Sequence, residues 1–190
     1  MASQRKPGAT DSETRRKLLD AAEKLMIEEG YAAVTSRHVG READVAPQLV
    51  HYYFRTMDDL FVEVFRRRAE EGIALFEQAM AEECSLQSIW AFRSGTVGAA
   101  YNIEFAALAN HRKVIRAELA RYAERFRALQ LDALAAVLAE RDGPAVAISP
   151  NVLLLAMTGV IQVMAIEEAL GLADGHVEML AFIDEHLDVL

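Results

Sequence analysis

Apolar side chains recur three and four residues apart along almost the whole of this 190-residue chain. Leu18, Ala22, Leu25 and Met26 fall on one helix face, and a longer run with the same period covers residues 113–140. No stretch alternates apolar and polar residues as a strand would, and only 4 prolines and 10 glycines interrupt the pattern. The sequence therefore predicts an all-α fold of about nine helices.

The composition excludes several other classes of protein. An apolar content of 53% is enough for a sizeable core, and the single cysteine, Cys84, excludes an internal disulfide and favours a buried structural thiol. The N-terminus has no apolar leader segment. The most apolar stretch, Val152–Ile166, is interrupted by polar residues and is shorter than a bilayer span. We therefore expect a cytoplasmic protein without a membrane partner.

Charge is distributed unevenly along the chain. The formal net charge is −9, but residues 1–68 carry a net charge of +1 and residues 69–190 carry −10. Strong negative charge repels the phosphate backbone of nucleic acids. Only the N-terminal third is therefore suited to contact DNA.

Two short helices joined by a tight turn are predicted within residues 35–54. Thr35 is a suitable N-cap for a helix over 36–43, and Asp44 stands where the chain must turn. Pro47 suits the first turn of the next helix, which is expected to end near Phe54. This pattern is typical of a helix-turn-helix, although an ordinary helical hairpin has the same signals. Thr56 and Asp59 then have capping-box spacing and predict the start of a long helix.

The residues around this pair of helices resemble the TetR family of transcriptional regulators. The resemblance implies a DNA-binding head over residues 1–56, with a flexible arm at 1–10, and a helical ligand-binding and dimerisation domain over 57–190. It also implies a homodimer that binds a near-palindromic operator and is released by an apolar or amphipathic small molecule. The residues that carry it are the run 14–22, Glu29-Gly30-Tyr31, Thr35, Val39, Ala43, Val45, the run Val50-His51-Tyr52-Tyr53-Phe54, and Asp59-Leu60.

The resemblance also assigns roles in DNA binding. Gln48 is expected to pair with adenine, Leu49 to pack on a thymine methyl group, and Arg37 to contact a guanine or a phosphate. Three positions depart from the family pattern: Ala46 replaces a hydroxyl cap, Asp44 replaces a glycine, and Met57 replaces a phosphate-binding lysine. The full set of expected DNA-binding residues is Arg37, Pro47, Gln48, Leu49, His51, Tyr52 and Tyr53.

The helices of the C-terminal part carry candidate residues for an effector cavity and for a dimer interface. Asn102, Glu104, Gln162 and Glu167 are candidate polar anchors for a ligand. The expected apolar cavity residues are Phe76, Met80, Trp90, Val97, Tyr101, Phe105, Met157 and Ile161. The expected interface residues, on the last two helices, are Leu153, Val160, Val163, Leu170, Val177, Leu180, Ile183 and Leu187.

The sequence has no motif that indicates catalysis. It lacks a nucleophile elbow, a phosphate loop and a dinucleotide fingerprint, and no histidine has a glutamate three positions before it. We therefore expect no catalytic residues, no metal and no cofactor. Two alternatives stay open, which are a helical adaptor that does not bind DNA and an enzyme of an unrecognised type.

Overall fold

The computed structural model describes residues 7–140 and 148–187, and it describes their side chains except at 7–12 and 96–100. Within these ranges the backbone forms nine α-helices and one 3-10 turn, Tyr31–Ala33, and it contains no strand. This confirms the all-α prediction. The α-helices are α1 Pro7–Glu29, α2 Ser36–Glu42, α3 Gln48–Tyr53, α4 Met57–Glu82, α5 Leu86–Ser94, α6 Thr96–His111, α7 Lys113–Ala139, α8 Pro150–Ala169 and α9 His176–His186.

Local sequence signals set most of the helix starts. The side chain of Ser149 accepts a hydrogen bond from Val152 N at 3.3 Å, and Pro150 occupies the first turn of α8. The first helix differs from expectation, because α1 begins at Pro7 and so includes the end of the arm expected over residues 1–10. The rest of that arm lies outside the described residues.

Internal contacts divide the chain into two units. As far as those ranges are described, the head unit comprises Met1–Ala69 and Ile103–Leu119, and the body unit comprises Glu70–Asn102 and Ala120–Leu190. The head unit therefore takes in the first half of α4, the second half of α6 and the start of α7. This division is not the one expected from the sequence, which separated the chain at residue 56.

The head unit has its own apolar core. Leu18, Leu25 and Met26 on α1 are buried, as the helical period predicts. Phe65 of α4 packs against Phe105 of α6 with their ring centroids 5.2 Å apart. Ion pairs between α1 and α4 also hold the head unit together. The guanidinium of Arg67 donates hydrogen bonds to Asp20 and Glu23, each at 2.6 Å.

The body unit is built around a second apolar cluster. Met80, Leu131, Val137, Val160, Ile161 and Ile183 are among the partly buried residues that pack against it. Its fully buried members come from α5, α7 and α8 and from the residue after α9, and they are Leu86, Ile89, Trp90, Leu134, Leu153, Leu154, Met157 and Leu187.

Candidate DNA-binding site and effector site

The turn between α2 and α3 is fixed by one left-handed residue and by a close approach of the backbone. Asp44 adopts a left-handed conformation with φ of 54°, as expected of an aspartate at this point. Val45 N donates to Gly40 O at 2.9 Å, and a Cβ added to Gly40 would lie 2.9 Å from Pro47 Cα. Because no real side chain tolerates that distance, the close approach of α2 and α3 requires glycine at position 40. The sequence analysis missed this signal.

Helix α3 presents one face to the core and the other to solvent. Val50 and the following Phe54 are buried and anchor the helix, while Tyr52 is 71% exposed. The N-cap position, Pro47, makes no side-chain cap hydrogen bond, in keeping with the missing hydroxyl at Ala46. Of the seven expected DNA-binding residues, Arg37, Gln48, His51 and Tyr52 are exposed, whereas Pro47, Leu49 and Tyr53 are half-buried.

Positive charge without a carboxylate partner is concentrated at this motif. Within the described residues, the exposed guanidiniums of Arg37 and Arg41 on α2 and of Arg55 just after α3 form no ion pair. Several other head cations have carboxylate partners; Lys24 Nζ, for example, lies 2.6 Å from Glu42 Oε1. The head is near neutral in total, but these three exposed cations without a carboxylate partner lie on and beside the two short helices. That surface is suited to binding phosphate.

The start of α4 is fixed by a reciprocal cap. Thr56 N donates to Asp59 Oδ2 at 3.0 Å, and Asp59 N donates to Thr56 Oγ1 at 3.1 Å, which confirms the predicted capping box. Asp58 is paired with Arg112. Met57 is half-buried at the first position of the helix. The helix therefore begins beside the motif with a neutral side chain and two carboxylates that already have partners.

The geometry of α2, the turn and α3 is that of a helix-turn-helix, and residues 18–64 match the family model described as "Bacterial regulatory proteins, tetR family". Over these residues the chain is similar to the TetR family of bacterial regulatory proteins. The match covers the second half of α1, the helix-turn-helix and the start of α4. A search of curated proteins finds no match.

Solved structures of similar fold cover nearly the whole of this chain. A protein assigned as a transcriptional regulator from Saccharomonospora viridis, solved in complex with choline, is 16% identical with a TM-score of 0.78, over 92% of this chain and 97% of that one. A protein assigned to the TetR family from Rhodococcus sp. is 18% identical with a TM-score of 0.72, over 92% and 99%. The multidrug binding protein EbrR, complexed with imidazole, is 24% identical with a TM-score of 0.61, over 88% and 89%.

Most of the expected cavity residues whose side chains are described are buried in the packed interior. Phe76 contacts Phe92 and Phe126 edge-on within the body unit, at centroid distances of 5.2 and 5.3 Å. Tyr101 is buried, and Phe105 belongs to the core of the head unit. Val97 falls among the side chains outside the described set. Trp90 and Met157 are members of the apolar cluster of the body, and Met80 and Ile161 pack against it.

Two of the four candidate polar anchors have other partners. Glu104 accepts a hydrogen bond from Tyr31 N at 2.9 Å, within the head unit. Glu167 lies 2.8 Å from the ring Nε2 of His176, near the turn between α8 and α9. Asn102 and Gln162 are exposed. The buried polar group of the body is a different one, centred on Arg93 and Gln130, which the sequence analysis did not identify.

The expected interface residues divide into core and surface. Leu153 is only 3% exposed and Leu187 is buried, so these two belong to the body core and their assignment to the interface was wrong. Val160 and Ile183 are partly buried against that core. Val163 is 53% exposed and Val177 is 77% exposed, and Leu170 and Leu180 are exposed as well. These four residues, with Leu155 and Phe182, make α8 and α9 unusually apolar for a surface.

Three further expectations concern membranes, metals and Cys84. By length and composition alone α8 is able to cross a membrane, which corrects the expectation that this stretch is too short, although a packed helix of a soluble protein passes the same test. Among the described residues no group of three or more His, Cys, Asp or Glu is arranged to hold a metal ion. Cys84 is exposed, so the expected burial of this thiol was wrong.

Proposed function

We propose that this protein is a TetR-family regulator, a cytoplasmic homodimeric repressor that binds a near-palindromic operator and releases it when a small molecule binds in the body unit. The observation that carries the proposal is the exposed polar face of α3, flanked by the unpaired guanidiniums of Arg37, Arg41 and Arg55. A face of this kind suits the major groove, where side chains read base edges while cations neutralise phosphates.

Dimerisation is supported by the surface of α8 and α9. Exposed apolar residues such as Val163, Leu170 and Val177 cost free energy in water, and a second copy of the same pair of helices is able to cover them. A two-fold dimer presents two equal recognition helices. This is the reason for proposing an operator of two similar half-sites, roughly one DNA turn apart.

Relief of repression is supported by the form of the chain and by its relatives. Helices α4, α6 and α7 each contribute residues to both the head unit and the body unit, so a ligand in the body has continuous helices through which to act. Regulators of similar fold have been solved with choline and with imidazole. A ligand acts in this way only if it binds the DNA-free and DNA-bound states with different affinity.

The test is a gel-shift titration with the DNA upstream of the chain's own gene, against scrambled DNA of equal length. We expect sequence-dependent binding, at least about a thousandfold tighter than to scrambled DNA. Arg37→Ala should weaken binding, and Gln48→Ala should cost about 1–3 kcal/mol at one base position of each half-site. Arg121→Gln, which removes an exposed charge from the body unit, is the matched control.

Two results would contradict this proposal. Equal binding to both DNAs, with a strong salt dependence, would remove operator recognition from the proposal. Absence of DNA binding under low-salt conditions would favour a helical adaptor.

A further inference from the structure

A partly buried polar cluster lies at the edge of the apolar interior of the body unit. Arg93 Nη1 donates to Gln130 Oε1 at 2.6 Å, and Arg93 Nη2 donates to the hydroxyl of Thr158. That hydroxyl in turn donates to Leu154 O at 2.6 Å. Three helices, α5, α7 and α8, therefore meet through one guanidinium. Gln130 is only 3% exposed.

The cluster lies at the edge of the apolar core because of its helical spacing. Arg93 is four residues after Ile89, Gln130 is four residues before Leu134, and Thr158 is four residues after Leu154. Residues four apart share a helix face. Ile89, Leu134 and Leu154 are buried members of the core cluster, so the three polar side chains continue the same faces.

The charge of this cluster is not neutralised by the described part of the chain. No described carboxylate pairs with Arg93, and the charged group that affects it is a second cation, Arg127. Burial, with a smaller contribution from Arg127, lowers the pKa of Arg93 to about 10. The side chain therefore remains a guanidinium at neutral pH, and a half-buried guanidinium without a counter-ion is costly.

The cluster also has two hydrogen-bond donors with no acceptor. Arg93 Nε and Gln130 Nε2 are buried, and neither has a hydrogen-bond partner among the described residues. Gln130 Oε1 already accepts from Arg93, which leaves the amide nitrogen of Gln130 for another group. Both atoms are donors, so a ligand that satisfies them has to supply acceptors. Since the charge is also unbalanced, an anionic acceptor satisfies both needs together.

We propose that the effector is an amphipathic monocarboxylate whose carboxylate is bound by Arg93 and Gln130. The inference rests on the proposed function, since it assigns the chemistry of the effector. A carboxylate accepts from Arg93 Nε and Gln130 Nε2, and its single charge balances that of Arg93. The apolar neighbours Trp90, Leu154 and Met157 suit an aliphatic or aryl remainder and disfavour a doubly charged phosphate. A cationic ligand such as choline is repelled by the same guanidinium.

Direct binding to the full-length protein tests this without DNA. The probes are butyrate, octanoate, dodecanoate and 4-phenylbutyrate, each paired with its primary amide, and choline serves as the cationic control. Calorimetry and thermal shift should give saturable binding of at least one acid, about ten- to a hundredfold tighter than its amide, because a charge-assisted hydrogen bond is lost in the amide. Equal affinity of acid and amide, preferential binding of choline, or no saturable binding of any acid would each overturn the proposal.

Variants of the two residues locate the site. Arg93→Met should reduce acid affinity about tenfold or more, while Arg121→Gln, with the same loss of charge at an exposed position, should leave it unchanged. Gln130→Glu places a carboxylate next to Arg93 inside the protein. It should raise the melting temperature and abolish acid binding, so the proposal stays testable even if Arg93→Met folds poorly. Undiminished acid binding by a folded Gln130→Glu protein would overturn the proposal.

Operator release is measured separately. An acid that binds at Arg93 but leaves the protein on its operator would support the carboxylate site and overturn its assignment as the effector site. If uncharged ligands release the operator equally well from the parent and from Arg93→Met, the proposed regulation is supported. A carboxylate effector is then rejected.

Discussion

The carboxylate of Glu104 accepts a hydrogen bond from the backbone N–H of Tyr31 at 2.9 Å. The two residues are 73 positions apart, and the bond joins α6 to the turn that follows α1 within the head unit. The neighbouring Gly30 has φ of +81°, and a Cβ there would lie 3.2 Å from Glu104 Oε2. Glycine is therefore favoured at position 30 by its positive φ, and a side chain there would also crowd the Glu104 carboxylate.

Removing this contact should destabilise the head unit. Glu104→Ala leaves the Tyr31 N–H without its acceptor, and we expect a loss of about 1–3 kcal/mol in the free energy of unfolding. Glu104→Gln retains a neutral acceptor of the same shape and should lose less. Urea denaturation of the parent and both variants measures the difference. If all three have the same midpoint and slope, the bond contributes nothing to stability.

For the cluster around Arg93 we expect the opposite effect, which is a gain in stability when its polar groups are removed. Replacing a buried ionic group by apolar residues of similar size often stabilises a protein by about 1–4 kcal/mol, because no charge has to be desolvated. Arg93→Met with Gln130→Leu should therefore raise the free energy of unfolding. Gln130→Leu alone should lower it, because it removes an acceptor from a charge that stays buried. A double variant less stable than this single variant would show that Arg93 stabilises the fold.

Contacts between residues close in sequence were predictable from the sequence, and contacts between distant residues were not. Thr35 accepts from His38 N at 3.2 Å, and the cap at Thr56 also formed as predicted, since each involves residues only three positions apart. Arg93 and Gln130 are 37 positions apart, and nothing in their local sequence marks them as partners. Their polarity indicates a solvated face when each helix is considered alone.

Apolar periodicity has a related weakness. It identifies which side of a helix avoids water, but it does not identify what covers that side. Leu153 and Val163 follow the same pattern on α8, yet Leu153 lies in the core of the body and Val163 is exposed. For this reason the interface prediction mixed core and surface residues, although the helices themselves were correctly located.

Two charges on the exposed apolar surface should prevent dimerisation. Val163→Glu with Leu180→Glu would bury unpaired carboxylates in the proposed interface, at several kcal/mol each. Light scattering after gel filtration should give a monomer with reduced operator affinity. Leu75→Glu, at an equally exposed apolar residue of α4, is the control and should remain dimeric. A double variant that stays dimeric would move the interface away from α8 and α9.

The pKa of Glu70 is set by two neighbours in the body unit. The hydroxyl of Tyr122 donates to Glu70 Oε1 at 2.7 Å, and Arg125 Nη1 lies 2.8 Å from the same oxygen. The hydrogen bond from Tyr122 is the main cause of the lowered pKa of this carboxyl, followed by that from Arg125. These contacts favour the ionised form, so their stabilisation is present above the unfolded pKa and is lost as the pH falls through the folded pKa.

Tyr122→Phe should raise the pKa of Glu70 towards its usual value of 4.5. Carbon-detected NMR titration of the Glu70 carboxyl measures this shift, and Arg125→Gln, which removes a positive charge, should raise the pKa as well. The stability difference between the parent and Tyr122→Phe should also decrease on acidification below the unfolded pKa. A titration curve unchanged by Tyr122→Phe would mean that this hydrogen bond is not made in solution.

Met57 offers a test of how α4 meets DNA. It begins α4, where the backbone N–H groups already favour a phosphate, and a lysine there adds one phosphate-neutralising charge per subunit. Each phosphate contact steepens the plot of log affinity against log salt by roughly 0.9, so Met57→Lys should steepen it by about 2 per dimer. Base preference should stay the same, because phosphates carry no direct sequence information. The cost in stability should be only about 0.3–1 kcal/mol, since Asp58 and Asp59 offset the repulsion from the helix dipole. Operator titrations at several salt concentrations measure the slope, with Arg121→Gln as the control. An unchanged slope would mean that position 57 faces away from the phosphate backbone.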